Sequence, residues 1–236
     1  MSTNHQKTIL ITGGSRGLGL ALARTLAEQG WHLIIDARGE AALTAVSREL
    51  SQYTQVTAVP GDINNKSHLQ ALAVAARAVG GLDAVVNNAG ILGPSPQPEL
   101  LDYPLDVLSQ VYQTNVIGPL AVLQAVRDSL KANAILVNIS SDAAVEPYEG
   151  WGGYGSSKAA LDQLSAVLAA ENSDFRVYWV DPGDMRTQMH QDAFPGEDIS
   201  DRPMPETSVP GLVELLHGEM PNGRYQARKV IAEAIS

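Results

Sequence analysis

At 236 residues, with 44% hydrophobic and 18% charged side chains, the chain has the apolar content of one α/β domain and is too rich in it for a disordered segment. Its net charge of -10 argues against a general nucleic-acid binder, so a phosphate-bearing ligand needs a local basic pocket. Cysteine is absent, which excludes disulfides and cysteine-ligated zinc, and no metal is called for; without a bilayer-length apolar run or a signal segment, a cytoplasmic location with no membrane partner is expected.

In chain order, short apolar runs rich in β-branched residues fall at 8–12, 32–36, 56–59, 84–87, 134–139 and 176–180. Between them, stretches of helical period run over 18–29, 40–50, 66–79, 105–130 and 154–170. Because the strands are continuously apolar rather than alternating, both faces of the sheet are expected to be covered. Strand and helix in alternation predict a doubly wound, mostly parallel, Rossmann-like α/β sheet in a single domain over residues 1–236. Residues 191–205 are rich in Pro, Gly and acids and read as a long loop, so a substrate loop is expected at about 188–206. A last edge strand is expected over 222–225.

The chemistry concentrates in Trp151-Gly-Gly-Tyr-Gly-Ser-Ser-Lys158. A free phenol titrates near 10, so it is a poor acid or base at neutrality unless a cation stabilises its phenolate. Residues at i and i+4 of a helix share a face, so Lys158 is expected to set its ammonium beside the Tyr154 hydroxyl. Tyr154 then exchanges a proton with a carbonyl or alcohol oxygen while Ser141, which closes an apolar run, holds that oxygen as charge develops. Upstream, Thr12-Gly-Gly-Ser-Arg-Gly-Leu-Gly19 follows the first strand and opens the first helix, a setting in which backbone amides face a pyrophosphate.

With these residues in hand, the chain resembles the short-chain dehydrogenase/reductase family over about residues 8–187. Gly13, Gly17 and Gly19 match its T-G-x-x-x-G-x-G turn, and Asn87-Asn-Ala-Gly90 matches its N-N-A-G element. Asn115, Ser141, Tyr154 and Lys158 match its catalytic positions, and Pro182-Gly183 with Thr187 matches the segment that meets the nicotinamide. The resemblance implies hydride transfer between a nicotinamide cofactor and a small carbonyl or alcohol. It implies that Lys158 also binds the nicotinamide ribose and that Asn115 helps hold a water behind Lys158. It further implies that Asn88, Ala89 and Gly90 line the adenine and ribose side, with Asp62 and Ile63 near the adenine, and that Ser15, Arg16 and Leu18 belong to the cofactor turn.

Cofactor choice rests on the end of the second strand. The simple dinucleotide rule points to Asp36 as a ribose ligand and to NAD. In the resembled family the acid's position falls on Ala37, and Arg38 with Arg16 resembles the basic pair that favours NADP; guanidinium groups suit a 2′-phosphate. NADP is therefore expected, with Asp36 either orienting Arg38 or weakening the phosphate site. In Ser140-Ser-Asp-Ala-Ala144 many members of the resembled family carry glycine at the last position, and Asp142 sets a carboxylate beside the reacting oxygen, which argues against anionic substrates. Tyr148, Trp151, Met189 and Phe194 are candidate pocket walls. The alternatives are an NAD-dependent alcohol dehydrogenase, a non-catalytic NAD(P)-binding regulator and a sugar-nucleotide epimerase, whose usual turn and larger C-terminal region are missing. The family resemblance implies a homodimer or homotetramer built on the helices at 105–130 and 154–170.

Overall fold

The computed structural model describes residues 6–230 and shows a seven-stranded, wholly parallel sheet in the order β3-β2-β1-β4-β5-β6-β7. Its strands are β1 (Thr8–Ile11), β2 (His32–Ala37), β3 (Val56–Pro60), β4 (Leu82–Asn87), β5 (Leu130–Ile139), β6 (Arg176–Asp181) and β7 (Gly223–Gln226). The helices are α1 (Gly17–Glu28), α2 (Glu40–Leu50), α3 (Lys66–Ala78), α4 (Leu105–Tyr112), α5 (Gly118–Val126), α6 (Gly152–Glu171), α7 (Gln188–Ala193) and α8 (Val209–His217). Successive strand residues point to opposite faces, so Ile9, Ile11, Leu33 and Ile35 pack under α1, α2 and α8, while Leu10, Ile34, Val85 and Leu136 pack under α3 and α5. Apolar residues on both faces are why the strands read as unbroken hydrophobic runs.

The winding reverses between β1 and β4, and in sheets of this kind the crevice beyond the strand ends at that point receives the ligand. The turn after β1 and the Asn88 to Gly90 segment after β4 border it.

Three expectations need correction. The single helix expected over 105–130 is three pieces: α4, a π-helical turn at Gln113–Ile117, and α5. Pro119 has no N–H to give to the turn before it, so the hydrogen-bond ladder slips by one residue there. The helical stretch then ends, and β5 begins at Leu130 rather than at 134, with a register break against β4 between Leu82 and Ala84. The 188–206 segment is not a continuous loop, since it carries α7 with Thr187 as its N-cap. The helix α8, whose Val209, Leu212, Leu215 and Leu216 join the core, went unpredicted because Pro210 and Gly211 sit inside its first turn. Among the described residues, no helix is long and apolar enough to cross a membrane.

Candidate active site

The turn after β1 is held by a carboxylate. Asp36 is buried, its Oδ1 accepts from the Gly13 amide at 2.8 Å, and its Oδ2 accepts from His68 Nε2 at 2.9 Å. Its carbonyl also accepts from the Gly14 amide at 2.9 Å. Asp36 therefore neither orients Arg38 nor faces the crevice; it is taken up in fixing the glycine turn. Thr12 braces the far side, its Oγ1 accepting from the Asn88 and Ala89 amides at 3.0 Å each. Asn88 returns two bonds from Nδ2, to the Thr12 carbonyl at 2.9 Å and the Gly13 carbonyl at 3.2 Å. The Asn88 side chain is thus a brace for the turn, and only the backbone from Asn88 to Gly90 remains to line the crevice.

The turn packs too closely on the segment after β4 to admit side chains at Gly13 and Gly19. At Gly13, where φ is +68°, an added Cβ meets Asn88 and Ala89 at 3.0 to 3.2 Å; at Gly19 it meets Asn88 Nδ2 and the Gly13 carbonyl at 2.5 Å. With Gly17 starting α1, the amides of Gly17, Leu18 and Gly19 lack intrahelical acceptors and suit an anion. The Leu18 side chain is buried, so its amide alone serves, while Ser15 is half-buried and Arg16 and Arg38 are exposed. These residues fit a dinucleotide cofactor. At the end of β3, Asp62 Oδ1 accepts from the Asn64 amide at 2.9 Å, and the Ile63 side chain joins the core.

The reacting side chains gather at the ends of β5 and α6. Tyr154 and Lys158 lie one turn apart on α6, both buried. Burial holds the Tyr154 phenol well above the ordinary range, the Asp142 carboxylate adds to this, the Ser141 hydroxyl opposes it, and Asp181 adds further. Burial lowers the Lys158 ammonium to about 8, against the pull of Asp162. The ammonium shares the helical face of Tyr154 and is anchored by the end of β5. Lys158 Nζ donates to the Ile139 carbonyl at 2.7 Å and lies 5.5 Å from the Tyr154 ring centroid. A buried ammonium needs an acceptor, and the last carbonyl of β5 supplies it.

Asn115 is fully buried in the π-helical turn, where its Oδ1 accepts from the Ile91 amide and its Nδ2 donates to the Ile91 carbonyl, each at 2.9 Å. Nδ2 also donates to Ser157 Oγ at 3.0 Å. A Cβ at Gly90 would come within 3.2 Å of Asn115 Oδ1 and 3.8 Å of Lys158 Nζ, so Gly90 keeps the space between them open. Ser141 Oγ accepts from the Ala143 amide at 3.2 Å and donates to Asp142 Oδ1 at 2.9 Å. Tyr148 donates to the other carboxylate oxygen at 3.0 Å, a bond that raises the Tyr148 phenol above its ordinary value.

An aromatic wall rises over Tyr154. The Trp151 ring lies 5.8 Å from that of Tyr154, 6.4 Å from Tyr148 and 5.9 Å from Phe194. Phe194 follows α7, and α7 is tied across the crevice by Ser95 Oγ, which donates to the Asp192 carbonyl at 2.6 Å. Met189 lies on α7 and is exposed. After β6, Gly183 takes a φ of +72° and its amide donates to Asp181 Oδ1 at 2.8 Å, while Pro182 offers its carbonyl to Ser208 Oγ at 2.7 Å. Thr187 comes back over the glycine turn, its Cγ2 3.6 Å from where a Gly17 Cβ would stand. Two residues of this neighbourhood were not singled out from sequence: Asp162, which shares the helical face of Lys158 one turn on, and Arg224, which reaches the site from β7.

A parallel sheet with a glycine turn at its reversal point, facing buried Tyr154 and Lys158 and half-buried Ser141, defines the class as a dinucleotide-binding oxidoreductase. The sequence profile described as short chain dehydrogenase matches residues 7–198, and the chain belongs to the short-chain dehydrogenase/reductase family. It is 35% identical over 196 residues to a benzil reductase ((S)-benzoin forming) of Saccharomyces cerevisiae, covering 79% of this chain and 74% of that one. It is 34% identical over 197 residues to the sepiapterin reductase of Mus musculus, covering 77% and 76%. A short chain dehydrogenase from Shigella flexneri, solved in complex with NADP, superposes with a TM-score of 0.87 at 30% identity, covering 94% of this chain and 97% of that one.

Proposed function

We propose that the chain is an NADP(H)-dependent reductase of small carbonyl compounds in which Tyr154 donates the proton. The observation that carries this reading is the group of buried Tyr154 and Lys158 with half-buried Ser141, set at the same crevice as the glycine turn. The cofactor, when bound, supplies the hydride. Tyr154 stays protonated well beyond neutrality and so stands ready as the acid that completes an alcohol. Ser141, once its hydroxyl turns from Asp142, donates to the carbonyl oxygen as negative charge develops there. Lys158, buried and bonded to the Ile139 carbonyl, holds the ribose hydroxyls and lends its charge to the phenolate. Asn115 fixes the Ile91 backbone beneath Lys158. The backbone of Ala89 and Gly90, with Pro182, Gly183 and Thr187, encloses the nicotinamide end.

Three observations support NADP over NAD. Asp36, the only acid in position to bind a ribose hydroxyl under the simple rule, is buried against Gly13 and His68. Arg16 and Arg38 are exposed at the ends of the turn and of β2, and the Shigella relative is solved with NADP. For the substrate, the wall of Trp151, Tyr148 and Phe194 suits an aryl-flanked carbonyl, and relatives named for benzil and sepiapterin favour the same class.

The test is a panel of aliphatic ketones, aryl ketones and benzil, each with NADPH and with NADH, followed by the loss of reduced-nicotinamide absorbance. Turnover of the aryl carbonyls, faster with NADPH, is expected. Tight NADPH binding with no carbonyl consumed would instead identify a non-catalytic cofactor binder.

A further inference from the structure

We propose that Asp162 and Arg224 are a positioning pair, which sets the charge of Lys158 from behind and fixes the shelf that carries Ser141. Arg224 stands on the edge strand β7, in register with Trp179 of β6, and reaches past β6 to the end of β5. There its Nε donates to Asp162 Oδ2 at 3.0 Å while its Nη2 donates to the Ser141 carbonyl at 2.7 Å. One planar guanidinium thus binds two acceptors at once, which a lysine ammonium at the end of a flexible stem does not reproduce. The inference rests on the reading of Tyr154, Ser141 and Lys158 as the reacting group.

The consequence for Lys158 follows from where the carboxylate is held. Asp162 lies one turn beyond Lys158 on α6, mostly buried, and burial raises its carboxyl against the opposing pull of the Ser140 hydroxyl, Arg224 and Lys158. Among the described residues, Lys158 makes no direct ion pair, although Asp162 supports its charge. Arg224 draws the carboxylate toward β7, so Asp162 acts on Lys158 through its field and leaves Nζ on the Ile139 carbonyl, on the Tyr154 side. Without Arg224, the largely buried carboxylate lacks its paired cation, and the other cation that acts on it is Lys158. A direct pair would pull Nζ down the helix and away from the phenol, and would release the Ser141 carbonyl at the same time.

The other charged groups around this cluster are few. Asp142 faces Tyr154 from the turn after β5, Asp181 faces both Tyr154 and Arg224 from the end of β6, and the π-helical turn contributes the neutral Asn115. Asp162 is the anion that acts on Lys158 itself.

The chain has five lysines, and Lys158 titrates near 8, so its titration can be followed directly by the ¹³Cε resonance in lysine-labelled protein, assigned by the signal lost in Lys158→Met. No substrate or cofactor is needed. Asp162→Asn keeps an acceptor for Arg224 and removes the anion, so Lys158 should release its proton about tenfold more readily, a midpoint about one pH unit lower. Arg224→Met should move the midpoint the other way, because the freed carboxylate closes on Lys158. Arg224→Lys keeps a charge beside Asp162 and should leave the midpoint near the wild-type value. With benzil and NADPH as probes, Arg224→Lys should still lower kcat several-fold at unchanged KM for NADPH, since the Ser141 carbonyl is released. Should Arg224→Met not fold, Asp162→Asn and Arg224→Lys decide the matter. A Lys158 midpoint unmoved in Asp162→Asn, or a kcat unmoved in Arg224→Lys, overturns the proposal. Midpoints that move as expected in a protein that reduces no carbonyl would leave the pair standing and remove the carbonyl-reductase reading.

Discussion

Burial lowers the Lys158 ammonium from 10.5 to about 8, so at neutral pH the folded chain keeps a charge that the unfolded chain holds more easily. Below the folded value both states are protonated and the whole cost is present. Between about 8 and 10.5 only the unfolded state remains protonated, and the cost fades as pH rises. Lys158→Met removes this dependence. The difference in unfolding free energy between wild type and Lys158→Met should therefore change by roughly 3 kcal/mol from neutrality to about pH 10, measured by urea denaturation at several pH values. A difference independent of pH would show that the lysine is not buried as a cation. The Met variant also leaves the Ile139 carbonyl without its donor, which is why the change with pH is the readout and not the value at one pH. Tyr154→Phe tests the other half of the pair. The ring and its contact with Trp151 remain while the transferable proton is lost, so kcat should fall by at least about 10² to 10⁴-fold with cofactor affinity nearly unchanged. Substantial turnover by purified Tyr154→Phe would falsify the assignment of the acid.

At the scale of the element, the end of β2 and the turn it supports make two opposite predictions for neighbouring residues. Arg38 is exposed just beyond β2, and losing one charge-assisted contact to a 2′-phosphate costs roughly 1.5 to 3 kcal/mol, a factor of about 10 to 150 in affinity. Arg38→Ala should therefore weaken NADPH by that factor and leave NADH little changed, narrowing or reversing the preference in kcat/KM. Asp36→Ala should behave differently. From sequence, removing a carboxylate near Arg38 only eases phosphate binding; in the fold it strips the Gly13 amide and His68 of their acceptor, so NADPH and NADH should weaken together. Isothermal titration of both cofactors against both variants separates the two outcomes, and a gain in NADPH affinity in Asp36→Ala would return that carboxylate to the phosphate site. The same residues show what sequence can carry. Local spacing placed β2, the glycine turn and the Tyr154 to Lys158 face correctly, because each depends on neighbours within one element. It missed the partner of Asp36, since His68 lies on α3 and nothing in a linear pattern says which way a buried carboxylate turns. Asp162, at i+4 from Lys158, was within reach of helical spacing; Arg224 was not, because only the docking of β7 on β6 brings it to Ser141. The break in the 105–130 helix is legible in Gly118-Pro119, since a proline inside an apolar helical period interrupts the hydrogen-bond ladder.

For the whole molecule, the surface carries a feature that the core does not explain. Leu105 on α4 is 75% exposed, Ile117 in the π-helical turn 49% and Val167 on α6 41%, with Leu120 and Leu164 also exposed. The sheet takes one face of these helices, since Val122, Leu123 and Val126 are buried in the core beneath them. The apolar faces of these helices are therefore not wholly engaged by the sheet, and α4 packs beside α6 so that the exposed residues belong to adjoining helices. Apolar side chains on neighbouring helices are what a two-fold helix-to-helix contact buries, each protomer offering the same patch to its partner. A dimer through α4, α5 and α6, or a tetramer that contains it, is therefore expected in solution. The -10 charge works against association of the chain at large but does not fall on these five residues. Replacing Val167 and Leu164 together by glutamate sets like charges across the two-fold contact and should shift the mass to that of a monomer. Because both side chains point away from the core, the circular dichroism spectrum should remain that of the wild type. Light scattering at micromolar concentration decides: a monomer mass for the wild type removes the expected interface, and an unaltered oligomer in the double glutamate variant moves it to another face.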